Sequence, residues 1–200
     1  MQINQISTNF LEENCWVLTN AKNEVVIIDP GSDVKKILAE VGDKKVVWIL
    51  LTHSHFDHVG ALHEVAEKTK GRVAIHVAEA EIVKKGMTNP SYCEEKLTPT
   101  PVARELKDGD LLEFGEEKIK VLHTPGHTPG SCCFLLGENL FAGDTLFRRN
   151  CGRVDLEGGD AAAMQESLKK LTQLPENTII HSGHGENWNM HEAKKFHFPV

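Results

Sequence analysis

The sequence predicts an α/β layered domain in which helices cover both faces of a sheet assembly. Strand-like segments alternate with segments of helical spacing, and this alternation occurs in two similar halves of the chain. The 200 residues suffice for one domain with a sizeable core, and no repeat, low-complexity tract or obvious linker divides them. We therefore expect a single domain over residues 1–200.

The first half begins with short strands and continues with helices between strands. Strands are predicted at 2–7, 15–19 and 25–29, with turn residues between them. Val34, Ile37, Leu38 and Val41 recur at helical spacing, which predicts a helix over 34–41. The run from Val46 to Leu51 is continuously apolar and predicts a buried strand. A helix over 61–69, a strand over 73–76 and a helix over 78–85 complete this half.

A weakly patterned, proline-containing stretch over 86–101 separates the halves, and irregular connections of this kind often border a site. The strand-rich pattern then returns. Strands are predicted at 111–114, 118–123, 131–136, 139–142 and 178–182, with a helix over 161–171.

Charge and composition restrict the class of function. The net charge of −7 argues against a nucleic-acid partner, because such proteins usually carry a basic footprint. No apolar run is long enough to span a bilayer and the N-terminus lacks signal-peptide features, so we expect a cytoplasmic protein without a membrane partner. The cysteines are odd in number and form no CxxC pair, which favours reduced thiols. Adjacent Cys132 and Cys133 should face opposite sides of their strand.

The most informative feature follows the apolar run that ends at Leu51. The segment Thr52-His53-Ser54-His55-Phe56-Asp57-His58 holds three histidines and one carboxylate within the six positions 53–58. Imidazole nitrogen and carboxylate oxygen are common ligands of divalent transition metals. The cluster should lie where a buried strand opens into a loop, and its composition suits one metal or two neighbouring ones.

Three later segments repeat one pattern, an apolar strand followed by a potential ligand in a glycine-rich turn. These ligands are His127, Asp144 and His184, and the glycines around them permit close backbone approach. With the first cluster, the sequence supplies seven candidate ligands, namely His53, His55, Asp57, His58, His127, Asp144 and His184. The remaining histidines are interpreted as structural or exposed, and Asp29 as an acceptor that orients a ligand imidazole.

The segments THSHFDH, TPGHTPG, AGDTLF and SGHG occur in an order that resembles the metallo-β-lactamase-fold hydrolases. The resemblance covers nearly the whole chain and implies a four-layer αββα sandwich with a dinuclear site at one edge. It implies that His53, His55 and His127 bind one metal, that Asp57, His58 and His184 bind the second, and that Asp144 bridges them. Asp57 and Asp144 are accordingly assigned to the catalytic set. The expected cofactors are two divalent ions, zinc first and iron or manganese as alternatives, that share an attacking hydroxide.

The segment from Ala142 through Cys151-Gly152-Arg153 resembles the glyoxalase II (hydroxyacylglutathione hydrolase) group. The resemblance implies cleavage of S-lactoylglutathione or a similar small-molecule thioester, with Arg153 contacting the thiol part. Asp155 stands where that group carries a tyrosine, and Tyr92 is the chain's single tyrosine. The residues after His184 are too few for the helical domain that completes the glutathione pocket in that group. The resemblance therefore implies thioester hydrolysis but does not imply glutathione specificity.

A persulfide dioxygenase and a non-catalytic scaffold are the two alternative functions. Persulfide dioxygenases share a Cys-Gly-Arg-x-Asp segment and use one iron held by two histidines and an aspartate, which His53 or His55 with His127 and Asp144 would match. Retention of His184 in a GHG context favours the dinuclear hydrolase. A non-catalytic scaffold that kept only the fold is disfavoured, because no candidate ligand is missing.

Overall fold

A computed structural model describes residues 1–8, 11–88 and 96–197. Tyr92, Cys93 and Phe198 lie outside the described residues. The described parts of the 86–101 connection, residues 86–88 and 96–101, contain neither helix nor strand, as predicted.

The N-terminal half forms one mixed sheet. Its strands are β1 (Gln2–Ser7), β2 (Asn14–Thr19), β3 (Glu24–Ile28), β4 (Lys45–Leu50), β5 (Arg72–His76) and β6 (Arg104–Leu106), in that spatial order. β1, β2 and β3 pair antiparallel, whereas β3 to β6 are parallel neighbours. Parallel neighbours need crossover connections, which contain α1 (Val34–Val41), α2 (Phe56–Val59), α3 (Leu62–Thr69) and α4 (Ala80–Lys84).

The second half forms the other mixed sheet. Its strands are β7 (Leu111–Phe114), β8 (Glu117–His123), β9 (Cys132–Leu136), β10 (Asn139–Gly143), β11 (Ile179–Ser182) and β12 (Trp188–Asn189), in spatial order from β12 to β7. All neighbours pair antiparallel except β10 and β11, which are parallel and are connected through α5 (Ala161–Leu171). The chain continues into α6 (Met190–His197). β8, β10 and β11 consequently run in the same direction and end at the same edge.

Three hydrophobic clusters confirm the predicted αββα layering. One packs α1, α3 and α4 on the outer face of the first sheet, with Ile37, Leu62 and Val83 among its members. The second lies between the sheets and contains Trp16 and Phe134. The third packs α5 and α6 on the outer face of the second sheet. Cys132 belongs to the inner cluster and Cys133 to the outer one, as alternation along a strand requires.

The shortest helices and strands were not predicted from the sequence. α2 has four residues, β6 three and β12 two, so none carries a readable periodicity. The helix α6 was also missed, and it packs Ala193 into the third cluster. Trp188 is buried in the same cluster. None of the described helices has the length and apolar character needed to cross a bilayer.

Candidate metal centre

All seven candidate ligands meet at one edge, where the two sheets adjoin. His53 and His55 follow β4, and the short helix α2 carries Asp57 and His58. The other three follow β8, β10 and β11, whose shared direction brings their C-terminal ends together; these residues are His127, Asp144 and His184. The strand directions thus explain why residues as far apart in sequence as Asp57 and His184 come into contact.

Three histidines form the first set. Nδ1 of His55 lies 3.0 Å from Nε2 of His53 and 2.9 Å from Nε2 of His127. All three side chains are buried. Nitrogen atoms that share a tetrahedral zinc lie about 3.3 Å apart, given Zn–N bonds of about 2.0–2.1 Å. The set is therefore close to the spacing that one ion requires.

Asp57, His58 and His184 form the second set. Oδ2 of Asp57 lies 3.2 Å from Nε2 of His184 and 3.7 Å from Nε2 of His58. His58 is fully buried and Asp57 nearly so, whereas His184 is partly exposed. One face of this set is therefore open to solvent.

Asp144 lies between the two sets and presents a different oxygen to each. Its Oδ1 is 3.2 Å from Nε2 of His58 and 3.7 Å from Nε2 of His184. Its Oδ2 is 3.5 Å from Nε2 of His127, which belongs to the first set. A carboxylate in this position can contact ions in both sets at once.

The outer hydrogen bonds determine which imidazole nitrogens point inward as acceptors. Nδ1 of His127 donates to the carbonyl oxygen of Arg153 at 2.8 Å, and Nδ1 of His184 donates to that of Leu11 at 3.1 Å. A carbonyl can only accept, so each neutral ring keeps a lone pair on the inner Nε2. Metal coordination needs such converging lone pairs.

Buried polar atoms without hydrogen-bond partners provide a second test of fit. Among the described residues, Nε2 of His58, Oδ1 of Asp144 and Nε2 of His55 are buried without such a partner. Buried unpaired polar atoms are costly, and a divalent ion would satisfy the two that face each other across the site. These residues therefore fit bound metal.

The protonation states agree with a site for cations. Burial, reinforced by the neighbouring rings, lowers the pKa of His53 and lowers that of His55 to about 3, so both stay neutral. Burial opposes a charge on His58 too, but the carboxylates of Asp144 and Asp57 raise its pKa well above the ordinary value. His58 and its neighbours lower the pKa of Asp144, against the effect of burial. The second set thus attracts positive charge, and metal binding would displace a proton from His58.

Asp29 orients the second set, as the sequence predicted. It follows β3, and its Oδ2 accepts hydrogen bonds from Nδ1 of His58 at 3.0 Å and from Oγ1 of Thr52 at 2.6 Å. Its Oδ1 accepts from the backbone nitrogen of Thr52 at 2.7 Å. Because the Thr52 hydroxyl donates to Asp29, it accepts from Nδ1 of His53, 3.1 Å away. One carboxylate therefore supports an imidazole in each set.

Glu79 is a supporting residue that sequence reasoning missed. Its Oε2 accepts from the backbone nitrogen and hydroxyl of Ser54 at 2.7 and 2.5 Å. Its Oε1 accepts from the backbone nitrogen of Gly130 at 2.9 Å. The buried carboxylate thus connects the loop of His53 and His55 with the loop of His127. Its sequence context, at the start of α4, looked like an exposed helical turn and contained no signal of this contact.

The residue before His184 is Gly183, and close packing against the centre requires a glycine there. A Cβ at this position would lie 2.4 Å from Oδ1 of Asp144 and 2.8 Å from the ring of His58. Any side chain here would displace both groups. The glycine therefore allows β11 to approach the centre closely.

A pocket of about 690 Å³ opens onto the centre. His55, Asp57, His127, Asp144 and His184 line its polar floor. Its walls include Leu11, Phe147, Cys151, Arg153, Val154 and Leu156. The guanidinium of Arg153, predicted to contact substrate, makes two hydrogen bonds to the carboxylate of Asp155, both of 2.6 Å.

His63, His76, His123, His181 and His191 lie outside the centre, as predicted. His76 and His123 stack on each other with ring centroids 3.9 Å apart, and His181 stacks on Phe141 at 4.7 Å. His63 is on α3 and His191 pairs with Glu176 on the surface. His184 rather than His181 reaches the centre, since the side chain of His181 packs between strands.

The four-layer fold and the histidine–aspartate centre define a class of protein, and comparison with known families agrees. Residues 8–184 match the metallo-beta-lactamase superfamily, and the chain belongs to this superfamily of metallo-hydrolases. Its cluster of histidine and aspartate side chains can bind metal ions.

Two curated relatives are similar to most of this chain. The probable metallo-hydrolase YqgX of Bacillus subtilis is 35% identical over 88% of this chain and 86% of its own length. The hydroxyacylglutathione hydrolase of Salmonella typhi is 35% identical over 92% of this chain, which spans 66% of that enzyme's length.

Three solved structures share the fold and are 28% to 34% identical to this chain in sequence. The B3 metallo-beta-lactamase BLEG-1 has a TM-score of 0.90 and 33% identity, with 99% of this chain and 98% of that chain covered. TTHA1623, in a di-iron-bound form, has a TM-score of 0.82 and 34% identity over 96% and 98% of the chains. ETHE1 from Myxococcus xanthus has a TM-score of 0.83 and 28% identity over 100% and 84%.

Proposed function

We propose that this protein is a thioester hydrolase of the glyoxalase II type that holds two divalent metal ions in each chain. His53, His55 and His127 would bind one ion, Asp57, His58 and His184 the other, and Asp144 both. Zinc is the expected metal, and the di-iron form of TTHA1623 keeps iron as an alternative.

The position of Asp144 is the observation that carries the proposal. Its two oxygens face two different ligand sets, at 3.2 Å from His58 and 3.5 Å from His127. A centre for a single ion would need only one of these sets. The additional histidines and Asp57 are most simply explained by a second ion.

When bound, two divalent ions lower the pKa of a water molecule toward about 7 and polarise a scissile carbonyl. The chain's own residues prepare the site for this chemistry. Asp29 and the backbone carbonyls of Arg153 and Leu11 hold the imidazoles in the orientation that presents their lone pairs. The partly exposed side of His184 leaves the centre accessible from the pocket.

Two observations favour a thioester substrate. A hydroxyacylglutathione hydrolase is among the relatives, at 35% identity. The loop Cys151-Gly152-Arg153 lines the pocket above the centre, where a substrate's thiol part would lie. Arg153 is therefore proposed as a substrate-binding residue, since a guanidinium offers a planar fork for carboxylates.

A persulfide dioxygenase is the second candidate, and the similarity to ETHE1 favours it. Such an enzyme would need one iron held by two histidines and Asp144. His184 discriminates between the two functions, because it belongs only to the second ligand set.

The decisive experiment combines metal content with three assays. Protein loaded with zinc, iron or manganese is analysed for metal per chain and assayed with S-lactoylglutathione, with nitrocefin, and with glutathione persulfide under oxygen-uptake measurement. We expect two ions per chain and turnover of the thioester. His184→Ala should lose one ion and at least 100-fold in thioester kcat, while the surface variant His191→Ala stays unchanged.

Other results would assign a different function to the centre. One iron per chain, oxygen uptake with the persulfide and normal function of His184→Ala would establish the dioxygenase instead. Cleavage of nitrocefin without thioester turnover would assign the centre to β-lactams.

A further inference from the structure

Arg153 is the one arginine or lysine among the described residues that line the pocket, and it already binds a carboxylate. Nε of Arg153 donates to Oδ1 of Asp155 and Nη2 donates to Oδ2, both at 2.6 Å. This is the bidentate geometry in which arginine binds carboxylates most specifically. Asp155 thus occupies the same donors that an anionic group of a substrate would use.

The rest of the wall offers no replacement for this cation. Leu11, Phe147, Val154 and Leu156 present apolar surface to the pocket. Asp57 and Asp144 on the floor are acidic. Asn150 and Cys151 are the other polar side chains of this wall among the described residues, and neither carries a positive charge.

Asp155 has a large local advantage over a substrate carboxylate. It is two residues from Arg153 on the same loop, so its effective concentration exceeds that of a dissolved substrate. The side chains are 39% and 67% exposed, which limits the strength of the pair, and exposed pairs are displaced at modest cost. The effect is therefore a graded preference rather than complete exclusion.

We propose that Asp155 is a specificity residue that makes the pocket select thioesters whose thiol part is uncharged and partly apolar over those with a carboxylate at Arg153. This rests on the proposed thioester hydrolysis and narrows its substrate class. Asp155 contacts neither the metal centre nor the reacting carbonyl, so its effect falls on substrate binding and not on the chemical step.

The test uses two substrates that differ at one carboxylate. These are S-lactoylglutathione and its glycyl monoethyl ester, assayed with the metal-loaded wild type, with Asp155→Asn and with Glu157→Gln. Glu157→Gln removes an exposed charge from the same loop and controls for the general electrostatic field. Asp155→Asn retains the shape of the side chain but removes the negative charge that faces the guanidinium.

We expect the wild type to have the lower KM for the ester. Asp155→Asn should lower the KM for S-lactoylglutathione by up to about fivefold, the upper end of the effect expected when an exposed ion pair is removed. Its kcat for both substrates and its KM for the ester should stay within twofold of the wild type. Glu157→Gln should resemble the wild type with both substrates.

A calorimetric measurement separates this proposal from the proposed function. S-hexylglutathione and its monoethyl ester are titrated into each metal-loaded variant, which requires no turnover. Tighter binding of the acid, but not of the ester, to Asp155→Asn supports the role of Asp155 even if no thioester is cleaved. An unchanged or weakened affinity of Asp155→Asn for the acid overturns it, whatever the outcome of the kinetic assays.

Discussion

Nδ1 of His58 donates a hydrogen bond to Oδ2 of Asp29 over 3.0 Å, and both side chains are almost completely buried. Asp29 also accepts two hydrogen bonds from Thr52, so its oxygens are fully engaged. The contact orients the His58 ring so that its inner nitrogen, Nε2, faces the metal site. Substitution of Asp29 tests this role.

Asp29→Asn should weaken metal binding by about 10- to 100-fold, the usual effect of changing a residue that orients a ligand. An amide cannot replace both oxygens. If its NH₂ faces His58, the ring must carry its proton on the inner nitrogen, where it blocks the ion. Competition with a chromogenic chelator measures the loss of metal affinity.

Asp33→Asn is the matched control. Asp29 and Asp33 both have a positive φ, of 52° and 56° respectively, and asparagine tolerates this conformation. Equal affinities in the two variants would contradict this role.

Asp144→Ala should remove both tightly bound ions and abolish turnover. Each ligand set loses an oxygen, and the loss leaves both ions with too few ligands. Elemental analysis after desalting measures the ions, and His184→Ala provides the comparison, since it should remove one ion only. Retention of one stoichiometric ion in Asp144→Ala would show that this aspartate does not serve both sets.

Glu79→Gln should destabilise the metal-free protein by about 1–3 kcal/mol, because an amide leaves a buried donor without an acceptor. The loops of His53, His55 and His127 would also lose their common support. Urea denaturation and chelator competition measure the two effects. Glu81→Gln, an exposed change on the same helix, should alter neither. If Glu79→Gln kept both the stability and the first-set affinity of Glu81→Gln, the link between the loops would have no energetic role.

His181 should make stability depend on pH. Burial lowers its pKa from the ordinary 6.5 to about 4. Below pH 6.5 the unfolded chain binds a proton that the folded protein does not, so stability is fully present above about pH 6.5 and falls as the pH approaches 4. At pH 5 the loss from this group is about 2 kcal/mol.

The variant His181→Gln isolates this effect. Glutamine can still donate to Asn139 but does not titrate. Urea denaturation of metal-free protein at pH 7.5 and pH 5.0 should give a difference smaller in His181→Gln than in the wild type by about 2 kcal/mol. His191→Gln, at the surface, is the control. The same pH difference in all three proteins would show that His181 does not titrate in this range.

The candidate ligands and most of the fold were predictable from sequence. Strand periodicity and the placement of His127, Asp144 and His184 directly after strands are local patterns, and the predicted spans agree with β1 and α1 residue for residue. Ligand-type residues crowded as in Thr52 to His58 are chemically distinctive wherever they occur. The four-layer arrangement followed from the resemblance rather than from the periodicity.

Only the tertiary structure identified Glu79 as the support of two ligand loops and Asp155 as the partner of Arg153. It also decided which oxygen of Asp144 faces which set, and which nitrogen of each histidine points inward. Apart from the Arg153–Asp155 pair, which lies within one loop, these features depend on contacts between segments that are remote in sequence, such as Glu79 with Gly130 and His184 with the carbonyl of Leu11. A hydrogen bond between remote segments exists only after the strands have packed, so no local pattern of residues specifies it.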